Sequence, residues 1–210
     1  MMENKETLEQ FVEAVVTNDS LHGKWLNTLS MMENSGARKI KRCEHPVFVN
    51  ELILKHASEE SRHAYYLKKQ IAKVAAGEFP TYEAQYVFAA KQSQRYLDVL
   101  DIQICRFLKD TFSYKSDQLK YAAYLLVTFA IEVRADALYP IYQSALDKVR
   151  SKVNVKSIIA EEIGHLAEMR NQIADLFDEP EFVSNKVIEM EAVLYEEWAD
   201  SLLEDLGYRK

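Results

Sequence analysis

The sequence predicts an all-α protein built on an antiparallel four-helix bundle with additional helices. Three observations carry this. Only five glycines and four prolines punctuate the 210 residues. Apolar residues recur at intervals of three and four, while the strict alternation of a strand is nearly absent. The periodic stretches are long, and they end at capping or helix-breaking residues.

A short leading helix is expected from about Lys5 to Val16, closed by Asn18-Asp19. The next runs from about Ser20 to Arg42, and Pro46 marks the turn after it. A long helix then covers about Val47 to Ala76, with Gly77 as its C-terminal cap. Pro80-Thr81 opens another, to about Thr111. Ser116-Asp117 caps a third long helix that reaches about Arg150 and is bent by Pro140. A fourth covers about Asn154 to Phe177, and after Pro180 a terminal helix spans about Phe182 to Leu206. The whole chain, 1–210, reads as one domain, with the bundle at about 20–177 and accessory helices at about 5–16, 81–111 and 182–206.

Hydrophobic residues make up 48% and charged residues 28% of the chain, the balance of an ordinary folded protein. Net charge is −7 and the basic residues are scattered, which argues against a nucleic-acid partner. Cys43 and Cys105 lie far apart, so neither a disulfide scaffold nor a zinc ribbon is expected. The polar, acidic stretch Met1 to Gln10 is unlike a signal peptide. The longest apolar run, Tyr121 to Ile131, ends at Glu132 and is too short to span a bilayer. A cytoplasmic protein without a membrane partner is the expectation.

One chemical motif occurs twice. The second long helix carries Glu60-Ser61-Arg62-His63, and the fourth carries Glu162-Ile163-Gly164-His165. Residues three apart on a helix share a face, so each pair offers a carboxylate and an imidazole side by side. That donor pair suits iron or manganese, and also zinc. With 22 Glu and 5 His in 210 positions, roughly 0.5 such pairs would arise by chance, so two alone are only suggestive.

Hairpin geometry adds the stronger argument. Glu33 and Glu60 are centred on the turn near Pro46, and Glu132 and Glu162 on position 147, near the break expected at Arg150 to Asn154. Each hairpin can therefore set a lone Glu opposite a Glu-x-x-His pair. The faces agree: Glu33 shares a stripe with Leu26, Leu29, Ala37 and Ile40, while Glu162 and His165 sit with Ile158, Met169 and Ile173. Carboxylates on apolar faces are costly unless they are paired or bind metal. Four of them converging with two histidines would be neutralised by two divalent cations.

Glu33, Glu60-x-x-His63, Glu132 and Glu162-x-x-His165 resemble the ligand set of the ferritin-like di-iron-carboxylate superfamily, over roughly Ser20 to Phe177. The resemblance implies two iron ions, or manganese with iron. It makes Glu60 and Glu162 bridging ligands, and Glu33, Glu132, His63 and His165 terminal ones. It implies an oxidoreductase that activates dioxygen to oxidise a small organic substrate, supplied by an electron donor. Leu29, Leu125, Phe129 and Leu166 are expected to line the substrate cavity. Two alternatives stand beside this: ferroxidase or rubrerythrin-like peroxidase chemistry, and a metal-free helical interaction protein. Apolar faces on the extra helices leave room for a homodimer.

Neighbouring residues have plainer readings. His56, one turn before Glu60, reads as a core histidine or one supporting the ligands from behind. Asp136, one turn after Glu132, could orient a ligand histidine through its other ring nitrogen. Glu59 and Glu161 are expected to face solvent or helix contacts, and Arg134 to be a surface or ion-pair residue. Tyr65, Tyr66, Tyr121, Tyr124 and Tyr139 read as packing aromatics, of which one could lie beside the metals.

Overall fold

A computed structural model describes residues 2–45 and 47–208, with side chains of the first helix from residue 5 onward; Pro46, the expected turn marker, lies outside the described residues. Seven α-helices and no strand occur among these residues. They are α1 (Met2–Val16), α2 (Asp19–Cys43), α3 (Glu51–Gln70), α4 (Ala90–Phe112), α5 (Ser116–Lys148), α6 (Lys156–Leu176) and α7 (Pro180–Asp205). No helix is long and apolar enough to cross a membrane.

Local chemistry sets the boundaries. Leu8, Phe11, Val12 and Val15 give α1 one buried face, and the helix stops where Asn18 takes over as the cap of α2, accepting from Leu21 N. Asp19 in the first turn of α2 and Lys41 and Arg42 in its last turn complement the helix dipole. Asn50 caps α3 by accepting from Leu52 N and Ile53 N, so this helix begins at Glu51 and not at Val47. Val47, Phe48 and Val49 instead form an exposed apolar connection.

Two further expectations change. The helix expected to run on to Ala76 gives way at Ile71 to a 3₁₀ turn, Ile71–Lys73, and Gly77 adopts φ +83° in the turn beyond it. Pro80-Thr81 does not open a helix; residues 74–89 are irregular apart from a 3₁₀ turn at Ala84–Tyr86, and α4 starts only at Ala90. Side chains of the neighbouring helices hold this strap. Asn27 Nδ2 donates to the carbonyls of Thr81 and Tyr86, and Lys68 Nζ donates to that of Phe79. Phe88 N donates to Thr28 Oγ1. Backbone groups satisfied in this way lose the incentive to coil. Gly23 lets α2 approach the strap: a Cβ there would lie 2.5 Å from Phe79 and 2.7 Å from the Cβ of Ala75.

α5 continues through Pro140, which has no N–H to offer the Asp136 carbonyl one turn back. No side-chain cap precedes α5; Ser116, expected to cap it, is the first helical residue with φ +49°.

The helices pair antiparallel. Ser30 Oγ donates to Ala64 O and Lys68 pairs with Asn27, which fixes α2 against α3. Tyr121 OH donates to Gln172 Oε1 near one end of α5 and α6, and Val155 N donates to Gln143 Oε1 near the other. α4 lies along α7 through Trp198 Nε1 to Ser93 Oγ and the Phe107–Phe182 contact. One continuous apolar core joins all seven helices, with Trp25 and Trp198 stacked at its centre, ring centroids 6.1 Å apart.

Candidate metal centre

α2, α3, α5 and α6 each send acid or imidazole groups into the same interior volume. Glu33 comes from α2, Glu60 and His63 from α3, Glu132 from α5, and Glu162 and His165 from α6. All six sequence-predicted residues therefore meet. Ligating atoms of Glu60, Glu132, Glu162 and His165 lie within 4.8 Å of one another, as do those of Glu33, Glu60 and His63. Glu60 belongs to both groups. His63, Glu162 and His165 are no more than 2% exposed.

The inner ring nitrogens face the carboxylates. His165 Nδ1 lies 3.0 Å from Glu162 Oε2 and 3.6 Å from Glu132 Oε1. His63 Nδ1 lies 3.2 Å from Glu162 Oε1 and 3.8 Å from Glu33 Oε2, close enough to feel their charge but not aligned for a hydrogen bond. A buried nitrogen left without a partner is costly, and a cation between these groups would satisfy it.

The outer ring nitrogens are held by acids that the sequence reading assigned to solvent or helix contacts. His63 Nε2 is 2.8 Å from Glu161 Oε2, and His165 Nε2 is 2.9 Å from Glu59 Oε2. Each acid comes from the opposite helix, so the two histidines are braced crosswise. An acid on the outer nitrogen keeps the proton there and leaves Nδ1 as the donor atom. Arg62 grips Glu161 with two hydrogen bonds of 2.9 and 2.5 Å. A signal was present in the sequence: both motifs read Glu-Glu-x-x-His. Asp136, expected in this bracing role, is exposed, and the outer ring nitrogens it would have held are taken by Glu161 and Glu59.

His56 is buried behind His165, with ring centroids 5.2 Å apart; its Nδ1 meets Tyr124 OH at 2.7 Å and its Nε2 meets Glu168 at 3.2 Å. It packs on the cluster and takes no place within it. Among the five tyrosines, Tyr139 is the one beside the acids, donating its hydroxyl to Glu33 Oε1. Arg134 forms a buried ion pair with Glu191 through Nε and Nη2, at 2.9 and 2.7 Å, and its guanidinium lies 3.6 Å from the centroid of the Tyr195 ring. Tyr96 OH completes that network by donating to Glu191 Oε1.

Crowding like charges out of water moves their proton affinities apart. Burial, then Glu33 and Glu132, lift Glu60 well above the usual carboxylate range, and burial followed by Glu162 lifts Glu132. Burial would also raise Glu162, but hydrogen bonds with Glu132 and His165 and the nearby charge of His63 outweigh it and hold Glu162 well below the usual value. Burial opposes the charge on His63, yet the carboxylates of Glu162 and Glu33 raise it to about 11. The cluster is thus a set of acids that must share protons or cations. Imidazole and carboxylate donors fit iron, manganese or zinc.

A cavity of about 90 Å³ adjoins the cluster, with Glu33, Glu60, Glu132 and Glu162 along one side and Leu29, Ile40, Leu97, Val127 and Leu138 among its apolar walls. Of the four residues expected to line it, only Leu29 does. Leu125 and Phe129 are fully buried and Leu166 is half-buried, all away from the cavity. The cavity lies toward α4 and α7, so it takes its α5 wall from the face of Val127, Ile131 and Leu138 instead. No protein family, no characterised protein and no solved structure matches this chain.

Proposed function

We propose that this protein is a dinuclear-metal oxidoreductase of the ferritin-like di-iron-carboxylate kind, with α2, α3, α5 and α6 as its four-helix bundle. The observation that carries the reading is the convergence of four carboxylates and two crosswise-braced histidines from four helices beside an apolar cavity. Glu60 and Glu162 would bridge two cations: Glu60 belongs to both donor groups, and Glu162 lies near both histidines. Glu33, Glu132, His63 and His165 would complete the two positions.

When bound, iron, or manganese with iron, would supply the binding and reduction of dioxygen. The chain's own part is to position and to exclude. Glu161 and Glu59 fix the imidazole rings, and the Tyr139 hydroxyl fixes Glu33. Leu29, Val127 and Leu138 exclude water from the side where a small apolar substrate would sit. Those walls favour an organic substrate over passage of iron.

Metal analysis of the purified chain should return close to two iron or manganese ions per molecule. Its reduced iron form should consume dioxygen, and a small aliphatic substrate should raise that uptake. Protein that stays metal-free after iron loading would end the reading, and a metal-loaded form inert to dioxygen would end its oxidase part.

A further inference from the structure

The centre is built on one motif used twice, Glu59-Glu60-Ser61-Arg62-His63 on α3 and Glu161-Glu162-Ile163-Gly164-His165 on α6. Acids and histidines coincide, but Arg62 is matched by Gly164. We propose that the two cation positions are unequal, the one at Glu132 and His165 binding more tightly and filling before the one at Glu33 and His63. This rests on the dinuclear reading given above.

Glu60 and Glu162 serve both positions, so any inequality must come from what differs. Two differences act in the same direction. First, Arg62 neutralises Glu161 behind His63, whereas Glu59 behind His165 forms no ion pair with a lysine or arginine among the described residues. A carboxylate on the outer nitrogen that no guanidinium grips makes an imidazole the better donor. Second, Glu33 gives one oxygen to the Tyr139 hydroxyl, while Glu132 faces His165 and the other acids of the cluster and accepts from no hydroxyl among the described residues. A carboxylate that already accepts a hydrogen bond gives less charge to a cation. Burial adds to this: the Glu132 side chain is 4% exposed and that of Glu33 13%. His63 Nδ1, buried and without a hydrogen bond, marks the second position as a place a cation would still enter.

One effect runs the other way. Arg62 also stiffens Glu161, which would favour the His63 position. Its side chain is 51% exposed and moves against solvent, so this stiffening should be the smaller term.

The test is a titration of the metal-free full chain with cobalt(II) under argon, followed by calorimetry and visible absorption. Two steps should resolve, about tenfold apart in affinity. Glu33→Gln should leave the tight step intact and weaken the other, while Glu132→Gln should remove the tight step. Both replacements are near-isosteric, and circular dichroism establishes their folding beforehand. Gly164→Arg provides a route outside the ligand set. Its Cβ would meet nothing within 4 Å, and the new guanidinium should neutralise Glu59 and weaken the tight step about threefold. Equal steps, loss of the tight step in Glu33→Gln, or tightening or no change in Gly164→Arg would each overturn the inequality and leave a dinuclear centre standing. Failure of the parent chain to bind cobalt(II) at all would overturn the dinuclear reading itself.

Discussion

Buried charge governs the molecule at the scale of single residues. Glu191 is 1% exposed and meets Arg134 and Tyr96, so Glu191→Ala would strand a guanidinium in the interior. A loss of about 3–5 kcal/mol in unfolding free energy is expected, measured by urea denaturation. The acid cluster makes a pH prediction. Glu60 and Glu132 keep protons in the folded chain above 4.5, where the unfolded chain has lost them, and His63 does so between 6.5 and about 11. Stability from these groups therefore falls as pH rises. Glu161 and Glu162, held low, act oppositely, but their contribution is complete above about 4.5 and is lost only in acid. His22 and His56, held low by burial, add stability only as pH rises through about 6.5, so from pH 6 to 8 the raised groups outweigh them. The melting temperature of the metal-free protein should therefore drop from pH 6 to 8, and bound divalent cations should flatten or reverse that slope. A metal-free melting temperature that climbs over this range would show that the cluster does not hold protons in this way.

Helix-scale behaviour turns on contacts that cross between elements. Adding a methyl group at Gly23 drives α2 against Phe79 and Ala75, so Gly23→Ala should destabilise by about 1–3 kcal/mol despite alanine's better helix propensity. A thermal melt of that variant showing a gain would mean that the strap gives way freely. The same crossing contacts explain what could be read from the sequence. Near-equal distances from the α2–α3 turn bring Glu33 opposite Glu60, because a hairpin is a local object; Glu132 and Glu162 also meet, although the α5–α6 connection lies much nearer to Glu162. Glu59 and Glu161 were missed because each works across the α3–α6 boundary, which no periodicity within one helix reveals. Residues 81–89 read as helix because Asn27, which holds the carbonyls of Thr81 and Tyr86, lies 54 and 59 residues away in sequence. The cavity walls failed for a related reason: spacing identifies the buried face of α5, and packing of α4 and α7 decides which part of that face stays open.

For the molecule as a whole, cation binding and folding should be one process. Four helices from both halves of the sequence contribute to the cluster, and no single hairpin holds it. A cation pair bound only by the folded chain should raise the melting temperature, because a hundredfold excess of ligand over its dissociation constant adds about 2.7 kcal/mol. Scanning calorimetry with and without iron(II) or cobalt(II) under argon would register this, and a chelator should undo it. Unchanged melting in both states would argue that the acids are structural and unoccupied.

Glu60 stands in both donor groups. Replacing Glu33 or Glu132 damages one half of the cluster, whereas replacing Glu60 damages both together. Its carboxylate works as the pivot of the interior: genetic drift can retune either flank independently, but has no route through the pivot that preserves even a single intact flank.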